Sequence, residues 1–355
     1  MNKRVTALRA KLAEQGLPGM LVMQDANRVY LSGFTGSSGV LLITADDAVL
    51  ITDGRYTEQA KGEAADFRVL THTEPMPAVA KQAADEAGVT KLAFEKDYFT
   101  VSLYESWKEK LAPVELVGVE GLVESLRRIK DAGEIQRMRK AQEITDEAFR
   151  RVLDFIRPGI SERDVSLELE FTMKKLGAGG LAFEIIAASG PRSALPHGQG
   201  TERVLQSGDL LTLDFGCEYQ GYCSDMTRTV LIGEPGDKQR EIYELVLEAQ
   251  KAGVEAVRPG ASGREVDRVC RDIIAAKGYG EAFSHSTGHG VGLMVHEGPG
   301  LSTRSEDALA PGMVVTIEPG VYLPGWGGVR IEDMVLVTET GHEVFGQSPK
   351  DLIVL

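Results

Sequence analysis

The sequence predicts an α+β protein of two domains, a small α/β domain over residues 1–122 and a larger domain over residues 123–355. Two observations support this prediction. In the first region, short apolar segments alternate with amphipathic ones, which is typical of a mixed sheet with helices on its faces. In the second region, the same order of motifs occurs twice, roughly a hundred residues apart, which is too long a period for a solenoid and indicates two related halves of one domain.

The first region has the signals of a small mixed sheet. Apolar or β-branched segments predict strands at residues 20–23, 40–43, 48–51 and 92–95, with the second and third forming a hairpin. Helices are predicted at residues 55–64, 77–87 and 103–111, and a linker is expected at residues 118–124. No cluster of catalytic side chains is visible in this region, so the chemistry is expected in the second.

The second region predicts two pairs of helices. Apolar residues that recur along one face predict a long helix at residues 125–156, and further helices are expected at residues 162–176, 238–256 and 263–277. A Pro-Gly dipeptide separates the helices of each pair, at residues 158–159 and 259–260. Together with the strands between them, this order predicts one domain in which four helices cover a curved, mainly antiparallel sheet.

Two matching strands each carry a carboxylate near their end. The segment GDLLTLDFG aligns with GMVVTIEPG, so Asp214 and Glu318 hold the same position in the two halves, and Asp225 and Glu332 follow them in corresponding order. A carboxylate in a buried strand is costly unless a cation or several donors stabilise it. If the four converge, each pair at ~4 Å would repel by several kcal/mol at an effective dielectric of about 20, so divalent cations are expected between them.

Three of the six histidines lie in one glycine-rich segment, SHSTGHGVGLMVHEG. His289 is the preferred metal ligand, since His296 has a counterpart in His197 of the first half. His285 is equally compatible with a hydrogen-bonded structural role. The segment is not a HExxH zinc helix, because Ser286 stands where that motif needs glutamate, and its glycines fit no phosphate loop. Four carboxylates and one imidazole form an oxygen-rich set that suits Mn, Co, Fe or Zn.

Composition and charge exclude several classes of function. The net charge of −14 and the isoelectric point near 5.0 argue against a nucleic-acid binder, which needs a basic surface. No apolar segment approaches the ~18 residues needed to span a bilayer, and the N-terminus has no secretion-signal pattern, so no membrane association is expected. The three cysteines form no disulfide framework, and a reducing, cytoplasmic location is predicted.

The order and local context of Asp214, Asp225, His289, Glu318 and Glu332 resemble the dimetal site of the pita-bread metallopeptidases. This family holds methionine aminopeptidases, aminopeptidase P and prolidases, together with the metal-free creatinases. The DGRYTEQA segment of the first region is similar to the small first domain of prolidases and aminopeptidase P. The resemblance covers essentially the whole chain, and it implies a creatinase-N-like domain followed by a pita-bread domain with pseudo-twofold halves.

The resemblance also implies a role for each ligand. Asp214 would chelate one of two divalent cations and His289 would complete the other, while Asp225 and Glu332 would bridge the pair. Glu318 would be both a ligand and the group that shuttles a proton. Manganese or cobalt is the expected metal, with zinc or iron as further options.

Three more residues match the substrate-facing positions of the family. His296 would stabilise the oxyanion, whereas His197 and Arg330 would hold the backbone or the carboxylate of the substrate. All three are therefore expected to be catalytic and substrate-binding residues.

The activity that the resemblance implies is metal-dependent hydrolysis of Xaa-Pro peptide bonds, in the first place of Xaa-Pro dipeptides as in prolidase. Aminopeptidase P, which removes the residue before Pro from longer peptides, shares every motif named and stays open as the alternative. A non-catalytic peptide-binding relative or a metal-free creatinase would lose the ligands, so the intact set argues against both. The expected partners are a small peptide with Pro at its second position and a second copy of the chain in a homodimer.

Overall fold

The computed structural model describes residues 2–355. The chain forms two compact units, of which the first ends at Arg127 and the second runs from Arg128 to Leu355. Within residues 2–355, no helix combines the length and the apolar character needed to cross a bilayer.

The first unit is a six-stranded mixed sheet with helices. Its elements are α1 (Lys3–Glu14), β1 (Gly19–Val22), α2 (Asp25–Ser32), β2 (Val40–Thr44), β3 (Ala48–Asp53), α3 (Thr57–Glu63), β4 (Arg68–His72), α4 (Met76–Glu86), β5 (Lys91–Glu95), α5 (Val101–Leu111), β6 (Glu115–Val119) and α6 (Glu124–Arg127). The strand order is β4-β3-β2-β1-β5-β6. The hairpin β2–β3 is antiparallel, whereas β1–β5, β3–β4 and β5–β6 are parallel, so the predicted mixed sheet is confirmed.

One prediction in this unit is only partly right, because no more than residues 120–123 of the expected linker lie outside helices and strands. The segment expected to be a linker, residues 118–124, contains the end of β6 and the start of α6. Its first residues pair with β5 in register, with Gly118 opposite Phe94 and Val119 opposite Glu95. Gly118 can take part in this pairing because glycine keeps both its backbone N–H and its C=O, although it adds no side chain to the packing.

The second unit holds the remaining elements. They are α7 (Ala132–Phe155), α8 (Glu162–Lys175), β7 (Gly180–Leu181), β8 (Ile186–Ser189), β9 (Leu210–Phe215), β10 (Cys217–Tyr219), β11 (Tyr222–Cys223), β12 (Met226–Leu231), α9 (Asp237–Ala256), α10 (Gly263–Ala276), β13 (Gly288–Gly290), β14 (Glu297–Leu301), β15 (Val314–Ile317), β16 (Gly320–Leu323), β17 (Gly327–Arg330), β18 (Asp333–Val337), β19 (His342–Val344) and β20 (Ile353–Val354). Short 3₁₀ helices lie at Gly190–Ala194 and Gly280–Ala282.

The duplication in the sequence is visible as two equivalent substructures. The first half packs α7 and α8 on the antiparallel strands β8–β9–β12, and the second half repeats this order with α9, α10 and β13–β15–β18. The second helix of each pair begins with a capping box, Ser161 with Asp164 and Ser262 with Glu265. The strands form four hydrogen-bonded groups rather than the single continuous sheet expected, and apart from the β12–β20 pair they are antiparallel.

The long helix begins later than residue 125. It starts at Ala132, because the Asp131 side chain accepts the backbone N–H of Glu134 and the Glu134 side chain accepts the backbone N–H of Asp131. This reciprocal capping satisfies two of the donors that a helix N-terminus otherwise leaves unpaired. The predicted start was wrong because residues 124–127 form the separate helix α6, and the capping box begins the long helix only at Ala132.

Candidate active site

The predicted site residues lie at the ends of the central strands of the second unit. Asp214 is in β9, Asp225 directly precedes β12, and His289 is in β13. Glu318 directly follows β15, and Glu332 lies between β17 and β18. Because β9 and β15 are the equivalent strands of the two halves, each half contributes its carboxylates from the same place in the fold.

A cavity of about 460 Å³ brings these residues together. It is lined by all eight of the predicted site residues and also by His285: His197, Asp214, Asp225, His285, His289, His296, Glu318, Arg330 and Glu332. Positions that are more than a hundred residues apart in the chain thus share one cavity. The volume lies within the range of ~300–1,000 Å³ typical of small-molecule sites.

Asp225, His289 and Glu332 form the tightest group of potential metal ligands. One ligand atom from each lies within 4.8 Å of the others. The Nδ1 atom of His289 lies 3.1 Å from the carbonyl oxygen of Gly290, which can only accept, so this nitrogen carries the proton. The other ring nitrogen, Nε2, faces the carboxylates at 3.6 Å from Asp225 and 3.3 Å from Glu318. This fixed orientation presents the Nε2 lone pair to a cation.

Asp214 has one engaged oxygen and one unpartnered oxygen. Its Oδ2 accepts a hydrogen bond of 2.6 Å from Nη2 of Arg330, whereas the buried Oδ1 has no hydrogen-bond partner in the described part of the chain. A buried acceptor without a partner costs about 1–3 kcal/mol. A divalent cation would satisfy this oxygen, so the residues present fit a metal site.

The charges of the carboxylates lead to the same conclusion. Burial raises the pKa of Asp214, Asp225 and Glu332, and repulsion from neighbouring carboxylates adds to the shift. Glu318 differs: burial would raise its pKa, but the hydrogen bond and charge of His289 outweigh burial and lower the pKa to about 2. Three acidic groups that resist ionisation in one cavity are the electrostatic signature of a site that needs a cation.

The guanidinium of Arg330 binds three groups of the protein. Its Nη1 donates to the hydroxyl of Tyr322 at 2.8 Å, its Nε donates to Thr227 at 3.1 Å, and its Nη2 binds Asp214. All three guanidinium nitrogens are therefore engaged by the protein, and the side chain is only 3% exposed. This arrangement orients Asp214, and Arg330 also lines the cavity, so its role in holding the substrate stays a prediction.

His285 belongs to the same hydrogen-bonded chain. Its Nδ1 faces the carbonyl oxygen of Ser286 at 2.8 Å and so donates, which leaves Nε2 to accept from the hydroxyl of Tyr322 at 2.7 Å. Burial lowers the pKa of His285, which favours the neutral ring that these contacts require. Of the two roles left open for His285, the hydrogen bonds support the structural one.

His296 and His197 line the same cavity as the predicted ligands. The His296 ring packs edge-on against the His289 ring, with 4.2 Å between the centroids, and burial lowers the pKa of His296. His197 is exposed and lines the same cavity. Both imidazoles can thus reach a molecule bound there.

Sequence reasoning missed three residues that orient the site. Tyr322 links Arg330 to His285, and Thr227 donates a 2.6 Å hydrogen bond to Glu332 while accepting one from Arg330. Thr316 donates to Glu318 at 3.1 Å and accepts from the backbone of His289. A signal existed for Thr316, because it lies two residues before Glu318 and so on the same face of the strand.

Comparisons with known proteins agree with this geometry. The model of "Metallopeptidase family M24" matches residues 136–339, and that of the "Creatinase/Prolidase N-terminal domain" matches residues 4–129. An uncharacterized peptidase of Bacillus subtilis, YqhT, is 48% identical over 99% of this chain and 100% of its own length.

Two solved structures are similar over the full length. The Xaa-Pro dipeptidase from Bacillus anthracis is 50% identical with a TM-score of 0.98, covering 99% of both chains. The X-Pro aminopeptidase from Thermotoga maritima is 40% identical with a TM-score of 0.92, also covering 99% of both chains. The chain therefore belongs to metallopeptidase family M24, with the creatinase/prolidase N-terminal domain in front of its pita-bread catalytic domain.

Proposed function

We propose that this metallopeptidase hydrolyses Xaa-Pro dipeptides with two divalent cations, manganese or cobalt in the first place. One observation carries the proposal: five potential ligands from both halves of the catalytic unit line one cavity, and one of them has a buried oxygen without a partner. The 50% identity to a protein described as an Xaa-Pro dipeptidase supports the choice of substrate.

The five predicted ligands share one role in this proposal. Asp214, Asp225, His289, Glu318 and Glu332 would hold two divalent cations. The chemistry that such cations would supply is a water of lowered pKa, which could serve as the nucleophile near neutral pH, and polarisation of the scissile carbonyl.

Residues of the chain supply the proton transfers and the substrate contacts. Glu318 takes the proton from the nucleophile and passes it to the leaving nitrogen, which in an Xaa-Pro bond has no N–H of its own. His296 donates a hydrogen bond to the developing oxyanion, and His197 binds the substrate at the exposed side of the cavity. Arg330 positions Asp214 through its 2.6 Å ion pair.

The alternative is an Xaa-Pro aminopeptidase that accepts longer peptides. The 40% identity to a protein described as an X-Pro aminopeptidase, over the same share of the chain, favours it as the second candidate. The two functions differ in whether the substrate can continue beyond Pro, and they share the reaction and the site residues.

Peptide hydrolysis by the metal-loaded protein tests the proposal. The protein is freed of metal with a chelator, reloaded with Mn²⁺ or Co²⁺, and assayed with Ala-Pro, Ala-Pro-Leu and, as a control, Ala-Leu. We expect metal-dependent release of alanine from Ala-Pro, slower release from Ala-Pro-Leu, and little from Ala-Leu. Faster cleavage of the tripeptide would establish the aminopeptidase, and failure of both proline peptides would refute the Xaa-Pro activity.

We also propose a homodimer in the cytoplasm. The family resemblance supports the dimer, and three buried, free cysteines, Cys217, Cys223 and Cys270, support a reducing compartment. Light scattering of the purified protein should give twice the mass of one 38.4 kDa chain. A monomeric mass at assay concentration would contradict the dimer.

A further inference from the structure

The loop that carries His197, residues 190–200, is closed by one buried carboxylate. Glu162 is the first residue of α8, and its side chain is fully buried. Its Oε1 accepts hydrogen bonds from the backbone N–H and the hydroxyl of Ser189, both at 2.7 Å. Its Oε2 accepts from the backbone N–H of Thr201 at 3.1 Å and from the hydroxyl of Thr201 at 2.7 Å. One side chain thus joins the two residues that flank the His197 loop.

A cation inside the loop binds the same carboxylate. Nη1 of Arg192 is ion-paired with Oε2 of Glu162, and Nη2 of Arg192 donates to the carbonyl oxygen of Gln199 at 2.9 Å. Gln199 lies two residues after His197 and lines the active-site cavity with it. Hydrogen bonds to a charged group are stronger than those between neutral groups. Glu162 and Arg192 therefore fix the loop both at its ends and beside the histidine.

The second half of the catalytic unit holds its histidine in a different way. The sequence repeat aligns Glu162 with Gly263. A Cβ at Gly263 would lie 2.3 Å from the carbonyl oxygen of Gly300, so the chain that follows His296 packs on α10 through its backbone. This part of the chain is β14, which pairs with β13. The described residues of the His197 loop form only an isolated bridge, so side-chain contacts have to hold that loop.

We propose that Glu162 is a positioning residue, which holds the His197 loop so that the imidazole faces a substrate in the active-site cavity. The side chain of His197 is exposed, and its place therefore depends on the backbone that carries it. Glu162 does not line the cavity, so it acts through His197 and not on the substrate itself. This role rests on the proposed function, in which His197 binds the substrate.

A double-mutant cycle with His197 tests the positioning role. Ala-Pro hydrolysis by the Mn²⁺-loaded protein is measured for Glu162→Gln, for His197→Ala and for the double variant. The glutamine presents an amide group to donors that the carboxylate accepted. Each single substitution should lower kcat/KM about tenfold, mainly through KM, as expected for one lost hydrogen bond to the substrate. The double variant should be no more than about twofold worse than His197→Ala, because a loop without the imidazole leaves Glu162 nothing to position.

Two further variants separate positioning from general damage to the fold. Arg192→Met breaks the link from Glu162 to Gln199, so it should show the same dependence on His197, and it replaces Glu162→Gln in the cycle if that variant does not fold. Asp164→Ala is the matched control at the same end of α8. The Asp164 side chain binds Ser161 and makes no contact with the loop, so kcat/KM should stay within about twofold of the wild type.

The cycle can contradict the positioning role in several ways. Losses that multiply to about a hundredfold in the double variant, with Ala-Pro still hydrolysed, would show that Glu162 acts independently of His197 and would overturn the inference. An unchanged kcat/KM in either single variant would do the same. Every variant should bind Mn²⁺ with the wild-type stoichiometry, and a loss of bound metal would also overturn it. A wild-type protein that hydrolyses neither Ala-Pro nor Ala-Pro-Leu would refute the proposed function, and the role of Glu162 with it.

Discussion

Buried carboxylates have opposite surroundings in the first unit and in the catalytic unit. In the first unit, Glu95 is 3% exposed, and its oxygens accept from the backbone N–H groups of Met23 and Gln24 and from Nδ2 of Asn27 at 2.7–2.9 Å. In the catalytic unit, Asp225 and Glu332 are equally buried but face each other and further carboxylates. A carboxylate surrounded by hydrogen-bond donors has a structural role, whereas carboxylates that face one another require a cation.

The same contrast exists between two adjacent residues of the catalytic unit. Asp333 is buried beside Glu332, but Arg228 at 2.8 Å and Lys350 at 2.6 Å bind it. Burial would raise the pKa of Asp333, and these two cations outweigh burial and lower it, whereas the pKa of Glu332 is raised. Burial by itself therefore does not identify a metal ligand; the charges that surround the carboxylate do.

The largest effect is expected from neutralising a carboxylate of the cluster. Glu332→Gln should lower kcat/KM for Ala-Pro at least about 100-fold, because a proposed metal ligand, and with it several kcal/mol of metal-assisted stabilisation, would be lost. The stability of the metal-free protein should stay equal or increase, since one repelling charge is removed. Urea unfolding of the metal-free variant and steady-state kinetics of the loaded one measure both. Near-normal activity would contradict the role of Glu332.

The pH dependence of stability should differ between the two units. Asp225 and Glu332 have raised pKa values in the metal-free fold, so the folded state keeps protons that the unfolded chain releases above about pH 4. The two protonated carboxyl groups contribute fully to the free energy of unfolding below that pH. This contribution is lost as the pH rises through the raised pKa values, by up to about 1.4 kcal/mol per pH unit for each carboxyl group. The metal-free catalytic unit should therefore become less stable from pH 5 to pH 8, and Mn²⁺ should reverse this loss.

One tryptophan in each unit allows the pH effect to be assigned. Trp107 lies in the first unit and Trp326 in the second, so Trp107→Phe and Trp326→Phe variants each report one unit by fluorescence. Burial also raises the pKa of Glu95, so the stability of the first unit should likewise fall as the pH rises. Mn²⁺ should leave that fall in stability unchanged. An equal effect of Mn²⁺ on both transitions would contradict the distinction between the two kinds of carboxylate.

Glu95→Gln should affect stability and spare activity. The amide group of the glutamine would face donors where the carboxylate accepted, so the free energy of unfolding should fall by about 2 kcal/mol. Urea unfolding followed through Trp107 measures this loss, and kcat for Ala-Pro should stay within about twofold of the wild type. An activity loss as large as that of Glu332→Gln would contradict a purely structural role for Glu95.

The smallest effect is expected at Lys350. Lys350→Met removes one of the cations that bind Asp333 and leaves Arg228 and Gln250 in contact with it. The side chain of Lys350 is 23% exposed, so the loss should be about 1 kcal/mol in unfolding free energy, with no change in metal binding. A drop in metal affinity would show that Asp333 and its partners also position Glu332.

The sequence predicted much of the fold and of the candidate site because both are encoded in local patterns. The repeated strand motif predicted that Asp214 and Glu318 occupy equivalent strands, and the Pro-Gly breaks predicted the ends of α7 and α9. The start of α7 differs from the prediction because the capping box of Asp131 and Glu134 separates this helix from the short helix α6.

Contacts between distant segments could not be predicted in this way. Tyr322 binds His285, 37 residues away, and Arg330, 8 residues away, only because β16 and β17 pair beside the cavity. The hydrogen bond from Gln199 to Glu184 depends on the path of the loop that carries His197, and no periodicity fixes that path. Sequence motifs thus predict the candidate ligands, whereas the residues that orient them can be identified only from the tertiary packing.

Calorimetric titration of the metal-free protein with Mn²⁺ tests most directly whether the buried carboxylates form a cation site. We expect two equivalents of Mn²⁺ per chain with release of protons, no more than one equivalent for Glu332→Gln, and two equivalents for Glu95→Gln. Failure of the wild-type protein to bind Mn²⁺, Co²⁺, Zn²⁺ or Fe²⁺, or binding that Glu332→Gln leaves unchanged, would contradict the account.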